Sequence, residues 1–163
     1  MTKEIVLVRN KGIALVDDED YEWLSNDKWY SVSKYAARLI FVNGAKRWQV
    51  MHRLIMNTPD GMDTDHIDRN PLNNQRSNLR FATRSQNMAN VPSHKDSVSS
   101  YRGVHRHLDK WRTRIYQNGK MHEIGVYETP ELAAIAYNIK AKELFGEFAY
   151  QNILKGDSEC HEM

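Results

Sequence analysis

Residues 65–87 read D-H-I-D-R-N-P-L-N-N-Q-R-S-N-L-R-F-A-T-R-S-Q-N, and this stretch decides how the rest of the chain is read. An Asp-His pair, Asp65-His66, ends one strand-like segment. Turn-rich sequence from Asn70 to Asn74 follows, with Pro71 among its residues, and then a short apolar strand, Leu79 to Ala82. A helix start is expected at Thr83, where Thr83-x-x-Gln86 fits a capping box, and Asn87 falls one turn further on the same face. Strand, loop, strand and helix bring one carboxylate, one imidazole and several amide oxygens toward one place, with no sulfur. The Asn run also reads simply as a turn, since Asn tolerates left-handed backbone.

Oxygen donors of this kind suit a hard divalent cation rather than a closed zinc site. An imidazole beside such an ion can take a proton from water near neutral pH. Arg80 and Arg84 place cations where a phosphate would need them. The residue types therefore point to phosphoryl chemistry, with Asp65 and Asn87 as candidate oxygen ligands and His66 as candidate base. Asn78 is a candidate to hold the imidazole in one tautomer.

The same stretch, preceded by V-M-H-R-L-I-M-N-T-P-D-G from Val50, resembles the HNH endonucleases of the ββα-metal group, most closely free-standing phage and intron-encoded homing enzymes. The shared pattern is D-H-x11-N-x8-N. The resemblance implies that His66 is the general base, that Asn78 orients it, and that Asp65 and Asn87 bind one divalent cation, Mg²⁺ or Mn²⁺. It also implies that Arg84 contacts the scissile phosphate. His52, in the H-R-L segment, is expected to pack or hydrogen-bond near the site without a catalytic role.

Outward from this motif, the N-terminal part reads as β-rich. Strands are expected over Glu4–Val8, Ile13–Val16, Trp29–Val32, Tyr35–Val42 and Lys46–Val50, with Asn43-Gly44 as a tight hairpin turn. The acidic run Asp17 to Asp20 reads as a helix start rather than a metal site, because acids favour helix N-termini. A short helix is expected over Val50–Met56. The aromatic residues Trp23, Trp29, Tyr35 and Trp48 are expected in the core.

Beyond the motif, Met88 to Ser100 is Ser-rich and aperiodic and reads as a linker, with His94 and Lys95 as candidate groove contacts. Three strands follow over Tyr101–His107, Lys110–Tyr116 and Lys120–Tyr127, with an Asn118-Gly119 turn. A helix then starts at Thr129-Pro130 and ends at Gly146. Strand parity predicts that Arg112 and Arg114 share a face, and likewise Arg102 and Arg106, leaving one face of the sheet basic and open. With Lys110 and Arg80, these arginines are the candidate DNA-binding residues. The segments Y-R-G-V-H-R, K-W-R-T-R-I and I-G-V-Y-E-T-P-E-L-A-A-I-A-Y-N resemble the APETALA2-type DNA-binding domain, which implies a three-stranded sheet, packed on one helix, that enters a DNA groove.

Charge is placed to match. Residues 1–30 carry four basic and seven acidic side chains, residues 38–90 eight and four, and residues 101–122 six and one, although the whole chain is only +2. Such patches suit localised phosphate contact. The single cysteine, Cys160, excludes an internal disulfide and a Cys-based zinc cluster, and fits a reducing compartment. With no apolar run long enough to span a bilayer and no signal segment, the expected location is the cytoplasm, the host's if the gene is a phage's. A Cys160-His161 metal pair in the tail falls short of a site.

The expected protein is α+β. Residues 1–90 form a β module with the HNH core, 91–100 a linker, 101–153 an APETALA2-like domain, and 154–163 a polar tail. The expected function is a metal-dependent homing-type endonuclease acting on double-stranded DNA at a site chosen by the second domain. Two other readings stay open, a DNA-binding regulator with a non-catalytic HNH region and a structure-specific phage nuclease. Monomer and homodimer are both compatible with the sequence.

Overall fold

The computed structural model describes residues 1–93 and 98–154. The candidate contacts His94 and Lys95, and the pair Cys160-His161, lie outside the described residues. The chain forms two compact units, Met1–Arg84 and the residues from Ser85 onward. The architecture is mixed α and β, with several small antiparallel sheets.

In the first unit, β1 (Thr2–Val6) and β2 (Ile13–Asp17) pair antiparallel, Thr2 opposite Asp17. The acidic run opens helix α1 (Asp18–Leu24), as expected from the favourable field at a helix N-terminus. A three-stranded sheet of order β3-β4-β5 follows, built from Tyr30–Val32, Tyr35–Val42 and Ala45–Val50. Asn43 and Gly44, at φ 50° and 78°, make the tight turn between β4 and β5. Helix α2 (Met51–Met56) leads to β6 (Asp63–His66), which pairs antiparallel with β7 (Leu79–Ala82). Helix α3 (Arg84–Ala89) comes next in the chain and runs on into the second unit.

Leu7, Val16, Leu24, Trp29, Met51 and Leu79 are fully or nearly fully buried in one cluster. Trp29 satisfies its indole by donating Nε1–H to the Leu24 carbonyl at 2.8 Å. The expectation that the four aromatic residues are core holds for Trp29 alone. Trp23, Tyr35 and Trp48 are more than a third exposed. Trp48 lies on the β4–β5 hairpin, whose residues 41–48 are all exposed to solvent.

In the second unit, β8 (Val104–His107), β9 (Lys110–Gln117) and β10 (Lys120–Tyr127) form an antiparallel sheet of order β10-β9-β8, with a register shift between Glu123 and Gly125. Helix α4 (Pro130–Phe145) packs on it. Thr129 caps the helix by accepting from the Leu132 N–H, Pro130 occupies the first turn, and Gly146 at φ 56° ends it. The buried face of α4 is Ala133, Ala134, Tyr137, Ala141 and Phe145, and the small residues allow close approach. Leu132 and Ile139, although apolar, face solvent.

Gly103 is required where it stands. Its φ is 74°, and a Cβ there would meet the Tyr137 ring at 2.3 Å and the Arg114 carbonyl at 2.6 Å. The turn at Gly103 also corrects the parity expected for the arginines. Arg102 precedes the strand, and its guanidinium turns to the Met88 carbonyl at 2.6 Å and the Tyr137 hydroxyl. Arg106 sits opposite Trp111 and stacks over its ring at 5.2 Å, on the same side as Val104 and Thr113. Thr113 bonds the Ala133 carbonyl, so that side faces α4. Arg112 and Arg114 lie on the opposite side, where Arg112 opposes His105 and Arg114 opposes Glu123.

Candidate active site

The β6–β7 ladder positions the Asp-His pair. Asp65 opposes Arg80, and His66 opposes Leu79. Asp65 and His66 are both buried. The Asp65 carboxylate accepts from Arg80, whose Nε and Nη2 lie 2.9 and 2.8 Å from Oδ2. A buried carboxylate held by a nearly buried guanidinium is the form in which burying such a charge is tolerated. Arg80, expected as a phosphate contact, is thus engaged inside the unit.

The loop between β6 and β7 is stitched by amide side chains. Asn78 donates from Nδ2 to Asp68 Oδ1 at 2.9 Å and to the Asn73 carbonyl at 2.8 Å, and its Oδ1 accepts from the Asp68 N–H at 3.0 Å. Both amide hydrogens of Asn78 are therefore engaged in fixing the loop. A side chain that reaches the imidazole is Asn74, fully buried, with Oδ1 3.5 Å from His66 Nε2, the outer limit of a hydrogen bond. In sequence Asn74 is one more member of an Asn-rich turn, and only its burial sets it apart.

The N-terminal strands hold this loop from outside. Leu15 donates to the Leu72 carbonyl at 2.8 Å, and Asn74 donates to the Leu15 carbonyl at 2.7 Å. Arg76 reaches into the acidic run, with Nε and Nη2 each 2.8 Å from the two oxygens of buried Asp20, and its backbone N–H donates to Asp17. The run that opens α1 thus also anchors the loop carrying the candidate site.

His66 meets a second imidazole. His52, on α2, packs edge-to-face on it, with centroids 4.9 Å apart, and Tyr35 closes on both rings at 5.0 and 6.0 Å. Burial pushes the His52 imidazole down to about 3, reinforced by His66 and Arg53, with Asp63 opposing. Burial also lowers His66, with Asn74, Asp68 and Asp65 opposing. Both rings are neutral at neutral pH, the form that accepts a proton.

Arg84 is largely exposed and lies 3.4 Å from Asp63, an exposed pair of little energetic weight that leaves the guanidinium reachable. Asn87 is carried on α3, among residues of the second unit. In the second unit, Arg112 Nη2 lies 2.6 Å from His107 Nε2, Glu123 lies within 4 Å of both Arg112 and Arg114, and Lys110 pairs with Glu128.

Among the described residues no group of three or more His, Cys, Asp or Glu side chains is placed to hold an ion. Among the described residues Asp65 offers one carboxylate and no thiolate, a chemistry that fits a hard, largely hydrated cation rather than structural zinc.

The HNH endonuclease family profile matches residues 57–89, which contain the whole Asp-His to Asn pattern. The chain is 38% identical over 147 residues to an uncharacterized HNH endonuclease of Acanthamoeba polyphaga mimivirus, covering 81% of this chain and 74% of the relative. It is 34% identical over 93 residues to Protein 3.8 of Escherichia phage T7, covering 56% of this chain and 76% of that protein. No solved structure matches the chain. The chain belongs to the HNH endonuclease family, and it is a nuclease. Among the described residues no helix is long and apolar enough to cross a membrane.

Proposed function

We propose that the protein is a homing-type HNH endonuclease that hydrolyses one phosphodiester of double-stranded DNA per active site, with the second unit selecting or holding the target as an APETALA2-like domain. The observation that carries this reading is the buried Asp65-His66 pair on β6, with Asp65 held by Arg80 and the Asn-rich loop reaching His66 through Asn74.

If Nε2 of His66 gives its hydrogen to Asn74, the lone pair lies on Nδ1, and that atom takes the proton of the attacking water. The water oxygen bonds to phosphorus, the bond to the 3′ oxygen breaks, and that oxygen takes a proton from solvent water, leaving a 5′-phosphate and a 3′-hydroxyl. Arg84 faces the scissile phosphate, where its exposed guanidinium offsets equatorial charge. Asn78 acts on the reaction through the loop it fixes. Asp65 and, by the family pattern, Asn87 would hold one Mg²⁺ or Mn²⁺, which would supply positive charge against the leaving 3′ oxygen. The role of Asn87 rests on the sequence spacing and the family pattern. In the second unit, Arg112 and Arg114 lie on the side of the sheet away from α4, with His105 and His107, in the manner of a sheet laid into the major groove. Lys110, at the end of β9 on the same side, contacts a backbone phosphate at its margin.

One active site per chain makes the monomer a nicking enzyme, and a double-strand break requires two copies or two events. The test is cleavage of plasmid carrying genomic fragments of the source, with Mg²⁺ and with the metal chelated. Metal-dependent nicks at a fixed position support the reading. Tight, metal-independent binding without cleavage identifies a regulator, and cuts that follow junctions or ends identify a structure-specific nuclease.

A further inference from the structure

The β4–β5 hairpin is the most exposed apolar feature of the first unit. Phe41 is 67% exposed, Trp48 49% and Leu39 40%. Cross-strand register places Leu39 opposite Trp48 and Phe41 opposite Lys46, so all four share one side of the ribbon. Tyr30 on β3 meets Trp48 edge-to-face at 5.6 Å and extends that side inward. A continuous exposed aromatic face on a two-stranded ribbon is a mark of an interaction surface.

The charges say what kind of partner it takes. Residues 35–50 contain three basic side chains, Arg38, Lys46 and Arg47, and no acidic one. Arg38 is engaged, by Asp27 and by Gln49 at 2.9 Å. Lys46 and Arg47 are exposed, with no hydrogen bond or ion pair among the described residues. An all-basic tip with free cations repels a second copy of itself, and charged side chains on the edge strand β5 hinder strand-to-strand pairing between chains. A polyanion satisfies the same charges. A groove of duplex DNA also admits a two-stranded ribbon, and aromatic side chains find apolar sugar and base surface there.

We infer that the β4–β5 hairpin is a DNA-contacting arm of the nuclease unit, with Phe41 and Trp48 against the groove and Lys46 and Arg47 on flanking phosphates. This rests on the reading of DNA as the substrate. The arm gives the nuclease unit a grip on the duplex separate from the sheet of the second unit.

The test uses the full chain with the metal chelated, binding long mixed-sequence double-stranded DNA across a salt series. Lys46→Ala/Arg47→Ala flattens the dependence of log affinity on log salt by about 2, since each lost phosphate contact removes roughly one counterion. Phe41→Ala/Trp48→Ala weakens binding roughly tenfold with the slope unchanged, since an apolar contact releases no counterion. Thermal unfolding confirms that each variant is folded. If the aromatic variant is not, the charge variant alone decides. Wild-type affinity and slope in both variants would overturn the inference. So would a wild-type dimer in sedimentation that the aromatic variant dissociates, because the occupant is then a second copy. Cleavage separates the two readings: a wild type that cuts DNA while the variants bind normally removes only the arm, whereas a wild type that neither binds nor cuts removes the nuclease reading as well.

Discussion

The imidazoles of His52 and His66 meet edge to face, with centroids 4.9 Å apart and planes at 74°. Two histidines in contact and away from water disfavour charge on either ring, and most strongly on both at once. His52 Nδ1 is buried without a hydrogen-bond partner among the described residues, so this ring has little to stabilise a proton. It packs as a wall against His66.

That burial gives an acid sensitivity with a defined sign. His52 is held at about 3 in the fold, against an ordinary value of 6.5. Between those values the unfolded chain binds a proton that the fold refuses. The contribution is therefore fully present above pH 6.5 and is lost as pH falls from 6.5 toward 3. His52→Phe keeps a flat ring and removes the titration. From pH 6.5 to 4.5 the wild type should lose up to about 2 kcal/mol more unfolding free energy than the variant, measured by urea titration. Parallel losses would show that His52 is not buried neutral.

Arg80→Ala leaves the Asp65 carboxylate buried without its guanidinium. The expected cost is about 3 kcal/mol or more in unfolding free energy, the usual result of stripping one partner from a buried pair. Mg²⁺ should raise the melting temperature of this variant more than that of the wild type, because a cation on Asp65 replaces the lost charge. Equal shifts in the two proteins would argue against Asp65 as a metal ligand.

Gly103→Ala forces a Cβ into the Tyr137 ring and the Arg114 carbonyl at a positive φ. Overpacking and backbone strain together should cost about 2–4 kcal/mol, read as a lowered denaturation midpoint followed by Trp111 fluorescence. A midpoint unchanged from wild type would contradict the packing of α4 against β8 and β9.

Much of this arrangement was legible in the sequence where a local chemical rule acts. Asn43-Gly44 and Asn118-Gly119 both adopt the positive φ that tight hairpins need, and Thr129-Pro130 and Gly146 bound α4. The Asp65-His66 strand and its pairing with Leu79–Ala82 match the reading of a turn-rich stretch between an Asp-His strand end and a short apolar strand. What was not legible depends on what covers a strand or where its count begins. Trp48 has the composition of a core residue, and only the lack of a layer over β4–β5 leaves it in solvent. Arg106 changed sides because Gly103 turns the chain and β8 starts at Val104, which breaks the parity counted from Arg102. Asn74 and Asn78 look alike in an Asn-rich loop. Asn74 is turned toward His66 where its backbone bonds the Leu15 carbonyl of β2, a tertiary contact that no local pattern encodes, whereas Asn78 bonds Asp68 and Asn73 inside the loop.

The most direct test of the central claim is a time course on supercoiled plasmid carrying genomic fragments of the source, with Mg²⁺, comparing wild type and His66→Ala. Relaxed circles should form with the wild type, and the variant should slow by at least about a hundredfold while binding DNA as before, the scale of a lost general base. Cleavage at the wild-type rate by His66→Ala, with the same metal dependence, would contradict the assignment of His66 as the base and with it the proposed site.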